Sequence, residues 1–179
     1  MMIRYYGPVG IPSGYGHAAN ETCMAILSAG LDLEIQTYNP SVTGTFNQLP
    51  ARYAPLSPRI RNEGVPPTPD PDAVIVHTLP RDCARVLETA KVRELYPRTR
   101  CVAYTTWEAA APLPDALAQG LRAFDQVWGP SRQTWQAVAP DQPDSVHRVP
   151  HAFDESLENE YLASCAPSGN APYRFYCVG

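Results

Sequence analysis

The run from Ala73 to His77, AVIVH, is apolar at both of its alternating positions and ends on an imidazole. A strand with one face in water alternates polar and apolar side chains, whereas a continuous apolar run demands cover on both faces, the condition of a parallel sheet between helix layers. Parallel neighbours need crossovers, so helices must alternate with strands along the chain. The rest of the sequence keeps that alternation.

Met2 to Tyr6 reads as a short apolar strand. Tyr15 to Ala29 has helical spacing through Ala18, Thr22, Ala25, Ile26 and Ala29, with Gly30 as its C-terminal cap. Leu31 to Tyr38 is a second strand. Arg81 to Tyr96 reads as one helix with Val86, Leu87, Ala90 and Leu95 on its inner side, stopped by Pro97. Further strands are expected at Cys101 to Thr105, Gln126 to Trp128 with Gly129, Ser145 to Val149 and Tyr173 to Val178. Helices are expected at Pro114 to Phe124, Arg132 to Val138 and Glu155 to Ser164. The pattern predicts an α/β fold with a doubly wound parallel sheet. Seven prolines fall between residues 50 and 71, which predicts a long surface connection over 50–72 within one domain.

In such a sheet, ligands bind beyond the carboxyl ends of the strands. The stretch GPVGIPSGYGHAANETCMAILSAG, residues 7 to 30, follows the first strand and holds five of the chain's 11 glycines, Gly7, Gly10, Gly14, Gly16 and Gly30. A glycine-rich turn opening a helix offers backbone N–H groups and the positive end of the helix dipole to an anion. The spacing matches neither GxGxxG nor a Walker loop, and the second strand ends in Thr37, Tyr38 and Asn39 without an acidic ribose ligand. His77 closes its strand, Thr105, Thr106, Trp107 and Glu108 follow the next, Ser131 starts a helix, and His151 and Asp154 lie at another connection. Together they suggest a shared cleft. Singly, each has an ordinary structural role: a core histidine, a packing tryptophan, a serine or aspartate N-cap.

Composition narrows the classes. The formal net charge of −4 gives no basic face for binding nucleic acid by phosphate neutralisation alone. No apolar run is long enough to cross a membrane and no signal peptide is evident, so the chain reads as cytoplasmic. Cys23, Cys83, Cys101, Cys165 and Cys177 form no CxxC pair and read as reduced packing residues. Pro150 prevents His147 and His151 from forming a helical pair, and no metal is implied.

The order of these motifs, SGYG after the first strand, TWE followed by Pro-Leu-Pro, VWGPS before a helix, then VPHAFD, resembles the N-terminal half of GT-B glycosyltransferases, particularly the retaining family-4-like group. The closing YRFYCVG looks like the first strand of that family's second Rossmann domain. The resemblance implies a Rossmann-like domain over residues 1–170, the first of the two in a GT-B fold, with 171–179 beginning the second. It implies a nucleotide-sugar substrate, no tightly bound cofactor, and an acceptor that is a glycan, lipid, protein or nucleic acid. It further implies a C-terminal GT-B domain in cis or in trans, or self-association, with this chain inactive alone. By that resemblance Gly14, Tyr15, Gly16 and His17 form the donor-diphosphate or acceptor loop. Thr106, Trp107 and Glu108 line the acceptor pocket, Ser131 and His151 lie on the cleft floor, and Glu108 or His77 meets the incoming hydroxyl. Where many members carry a histidine after the strand equivalent to CVAYT, this chain has Thr106. Two other readings are a glycosyltransferase-like module that binds a glycan, nucleotide or protein without turnover, and a single-domain Rossmann oxidoreductase or nucleotide hydrolase.

Overall fold

The computed structural model describes residues 1–37, 49–61, 70–109, 112–138 and 144–153. Its strands are β1 (Met2–Gly7), β2 (Asp32–Thr37), β3 (Ile60–Arg61), β4 (Ala73–His77), β5 (Arg100–Tyr104), β6 (Gln126–Gly129) and β7 (Val146–Arg148). They form one seven-stranded sheet in the order β3-β2-β1-β4-β5-β6-β7, and every pairing is parallel. The helices are α1 (Gly14–Ser28), α2 (Pro80–Thr89), α3 (Val92–Leu95), α4 (Asp115–Leu121) and α5 (Arg132–Val138), with a 3-10 helix at Ala51–Arg59. The expected doubly wound α/β fold is present.

Strand alternation sorts the core into two layers. Ile3, Tyr5, Ile35, Ile75, Val102 and Tyr104 pack on the side of α1 and the 3-10 helix. Val74, Val76, Cys101, Ala103 and Val127 meet Cys83, Val86, Leu87, Ala118 and Leu121 on the other side. AVIVH therefore has the two covered faces that its composition required. Cys23, Cys83 and Cys101 are free and buried, as packing residues should be; Cys165 and Cys177 lie outside the described residues.

Small side chains bring α1 close to the sheet, since Gly16, Ala18, Ala19 and Cys23 are all buried. Ser13 caps its start by accepting from the Gly16 N–H. At its end Gly30 adopts φ +73, with Gly30 N–H bonded to Leu27 and Leu31 N–H to Ile26. That is the left-handed C-terminal cap anticipated from the glycine.

Two expectations need correction. The segment from Arg81 to Tyr96 is two helices, because Lys91 takes a left-handed φ of 48 and ends the first. The break rotates Val92 and Tyr96 inward and leaves Leu95 exposed, contrary to the single-helix register. The proline-rich segment is also more than a surface connection. Residues 51–59 wind as a 3-10 helix, where side chains three apart share a face: Tyr53 and Leu56 are buried while Pro55 and Pro58 face outward. β3 follows at the sheet edge, and residues 62–69 lie outside the described set. The strand expected at Tyr173 to Val178 and the helix expected at Glu155 to Ser164 also lie outside it, as does Asp154.

Candidate functional site

The strand order reverses between β1 and β4, since β1 continues to β2 on one side and its other neighbour is β4. In a doubly wound sheet this switch point opens a crevice at the carboxyl edge. His77 is the last residue of β4, and its carbonyl lies 3.3 Å from the position a Cβ on Gly7 would take. The imidazole is thus buried beneath the carboxyl edge of the sheet at the switch point.

His77 is fully buried, with Nδ1 hydrogen-bonded to the Tyr5 hydroxyl. Its ring stacks on Tyr104 at 4.4 Å between centroids, with Tyr15 at 5.6 Å and His151 at 5.8 Å. Nε2 is buried and has no hydrogen-bond partner among the described residues. Burial, aided by the nearby His151, pushes the His77 pKa down to about 3. The ring is neutral, so one nitrogen donates and the other accepts. Either way a buried hydrogen-bonding nitrogen is left without a partner among the described residues.

Tyr104 and His151 continue the cluster. The Tyr104 hydroxyl lies 3.0 Å from the Val149 carbonyl and 3.0 Å from His151 Nδ1. A carbonyl only accepts, so the tyrosine proton goes to Val149 and His151 Nδ1–H donates to the tyrosine oxygen. The lone pair of neutral His151 then sits on Nε2. Burial lowers the His151 pKa and favours that neutral form.

Tyr15 reaches from the start of α1 to the loop after β5, where its hydroxyl accepts from Thr106 N–H at 3.1 Å. That loop is anchored throughout. Thr105 Oγ1 donates to the Thr78 carbonyl at 2.7 Å, Trp107 N–H donates to Thr134 Oγ1 at 3.2 Å, and Gln133 Nε2 donates to the carbonyls of Glu108 and Ala109. Thr106, Trp107 and Glu108 line a cleft of about 230 Å³ with Leu79, Arg81 and Leu117. The three expected acceptor-pocket residues therefore line one cleft, but the Glu108 side chain is exposed whereas His77 is fully buried and does not line that cleft.

The glycine loop departs from expectation. The Gly16 N–H is taken by Ser13, and a Cβ on Gly16 would lie 2.0 Å from the Ile11 carbonyl oxygen. Close packing of the loop against the helix start requires glycine there. Gly16→Ala is expected to cost about 2–3 kcal/mol through forced backbone movement; urea unfolding checks this. A Cβ on Gly14, in contrast, would meet nothing within 4 Å. His17 is exposed and turns away from His77 toward Arg52 and Tyr53. Ser131 is exposed as well, and its Oγ accepts from Thr134 N–H at 3.1 Å as the N-cap of α5.

Tyr5 and Tyr104 were not singled out by sequence reasoning because each is hidden inside an apolar strand run. Their period-two placement with His77 on one face of neighbouring strands was the available signal. Among the described residues no group of three His, Cys, Asp or Glu side chains is arranged to hold a metal ion, and no helix is long and apolar enough to cross a membrane.

The fold and crevice define a Rossmann-like α/β protein with a histidine-tyrosine cluster at its switch point. No family model and no curated protein matches the chain.

Proposed function

We propose that the chain is the acceptor-side domain of a GT-B glycosyltransferase of the retaining type, acting with a nucleotide-sugar donor. The observation that carries this reading is the unpaired Nε2 of a neutral histidine buried at the carboxyl end of the switch-point strand. Sugars are polyhydroxylated and uncharged, and are held by neutral hydrogen-bonding groups beside aromatic faces. His77, His151 and Tyr15 supply such groups, and the adjoining cleft adds the Trp107 face and the Glu108 carboxylate.

His77, with its pKa pushed down to about 3, is too weak a base to take the acceptor proton at neutral pH. Its role is to orient a sugar hydroxyl. Glu108, open to solvent and lining the same cleft as Trp107, is the candidate to receive that proton. The donor nucleotide is assigned to a second GT-B domain, in cis or in trans.

The weak basicity of His77 and the separation of Glu108 from it favour one competing reading, a sugar-binding module without turnover. Titration of the chain with nucleotide sugars and simple glycosides, following tryptophan fluorescence and released nucleotide in the same samples, tests both. A saturable fluorescence change is expected, weakened at least tenfold in Trp107→Ala. Nucleotide release upon adding a second GT-B domain supports the transferase, whereas binding without release supports the module. No saturable response to any sugar would remove both.

A further inference from the structure

The cleft beside Trp107 has mostly apolar walls. Leu79 and Pro80 at the start of α2, Leu117 on α4, and Trp107 and Ala109 on the loop after β5 enclose about 230 Å³. We infer that this cleft binds a single-ring aromatic hydroxy acid, of the hydroxybenzoate kind. That compound is the sugar acceptor under the acceptor-side reading, on which this role rests; the binding preference stands on the lining itself.

The loop has little hydrogen bonding left to offer. The Thr106 carbonyl accepts from the Tyr15 hydroxyl at 3.4 Å and the Trp107 carbonyl from Thr134 Oγ1 at 3.4 Å. Gln133 Nε2 donates to the carbonyls of Glu108 and Ala109, each at 3.1 Å. Four consecutive carbonyls are thus spent within the protein, as are the N–H groups of Thr106 and Trp107. A pyranose carries a hydroxyl on most of its ring carbons, and each one buried without a partner costs about 1–3 kcal/mol. An aromatic ring makes no such demand and packs well against an indole. Size agrees, since an apolar cavity of roughly 150 Å³ already holds a benzene ring. The walls are also fixed in advance, because Trp107 and Leu117 pack on the core layer beneath them.

The charged groups select the substituents. Arg81 is 64% exposed, and among the described residues its side chain makes one hydrogen bond, from Nε to Asp82 Oδ2 at 3.4 Å. Asp82 makes its closer contact with Arg85, at 2.6 Å, so one carboxylate is shared between two cations. Both terminal nitrogens of Arg81 remain uncommitted among the described residues, and a guanidinium fork pairs best with a carboxylate. Arg81 and Glu108 line the same cleft from different elements without pairing with each other among the described residues. An ionised Glu108 only accepts, so it takes the ligand's hydroxyl. A ring with a carboxylate at one end and a hydroxyl at the other answers both. On transfer the phenolic O–H gives its proton to Glu108 and the oxygen bonds the anomeric carbon of the donor sugar. The bond from that carbon to the diphosphate breaks, and its electron pair leaves on the nucleotide.

Calorimetry on the 179-residue chain compares para-hydroxybenzoate, para-cresol and a methyl glycoside. Saturable binding of para-hydroxybenzoate is expected, roughly tenfold tighter than para-cresol because of the charge-assisted pair, with that advantage lost in Arg81→Gln. Leu117→Ser should weaken both ring compounds alike. Arg81 is exposed, so Arg81→Gln remains a folded comparison should Leu117→Ser unfold. An aryl glycoside should displace para-hydroxybenzoate, and the methyl glycoside should not. Displacement by the methyl glycoside, or equal binding of para-hydroxybenzoate by the parent chain and Arg81→Gln, would overturn the inference while leaving the sugar-transfer reading in place. Binding as expected, without glycosylation when a nucleotide sugar and a second GT-B domain are supplied, would instead remove the transferase reading and keep the ligand class, so the two fail separately.

Discussion

Glu34→Ala is expected to lower the unfolding free energy by about 3–5 kcal/mol, the range for removing one partner of a buried ion pair. Arg4 on β1 is fully buried, and its Nε donates to Glu34 Oε1 on β2 at 2.8 Å. Arg61 on β3 approaches the other carboxylate oxygen at 3.4 Å, so one carboxylate serves three adjacent strands. Burial works against the Arg4 charge, yet Glu34 and Tyr96 together raise its pKa. Tyr96 also offers its ring to the guanidinium at 4.9 Å. Without Glu34, the buried cation loses its counter-charge at the strand that forms one wall of the crevice. Urea unfolding at neutral pH measures the loss. The double substitution Arg4→Met with Glu34→Leu should recover most of it, because an apolar pair carries no desolvation penalty. Equal stability of Glu34→Ala and the parent chain would show that the pair contributes nothing.

The second large effect is a dependence on pH. The folded pKa of His77 is about 3, against an ordinary 6.5. Well above pH 6.5 neither the folded nor the unfolded imidazole is protonated, and His77 adds no pH dependence. Below it the unfolded chain gains a proton that the folded chain refuses, so stability falls by roughly 1.4 kcal/mol per pH unit until the folded pKa is reached. His151, also lowered by burial, contributes in the same direction. Between pH 7.5 and pH 5 the His77 contribution is therefore about 2 kcal/mol. His77→Gln does not titrate and can still hydrogen-bond Tyr5, so it should be flatter than the parent over this window by that amount. Superimposable pH profiles would mean that His77 is neither as buried nor as neutral as its surroundings imply.

The fold was legible because its signals are local and redundant. AVIVH announced two covered faces, and Gly30 announced the end of α1. The break at Lys91 was not legible, since a lysine in a left-handed turn carries no signal in its residue type and the surrounding residues are good helix formers. The 3-10 helix was masked by its own prolines. Their spacing of three, together with Tyr53 and Leu56, was the available clue.

The site was legible in part. His77, Tyr15, Thr106 and His151 were expected at one sheet edge because strand-end position alone puts them there, and strand pairing brings them together. Ser131 lay at the same level of the chain but serves its own helix, which position cannot distinguish from service to a ligand. Gly16 answers to the Ile11 carbonyl, a contact between loop and helix that glycine counting does not reveal.

The most direct measurement is nitrogen-detected NMR of the histidine rings, recorded from pH 7.5 to 5 with and without a saturating simple glycoside. The sugar-site account predicts a His77 ring that stays neutral across the range and an Nε2 resonance that moves when the sugar binds. A His77 that titrates near pH 6.5, or an Nε2 resonance indifferent to every sugar, would contradict it.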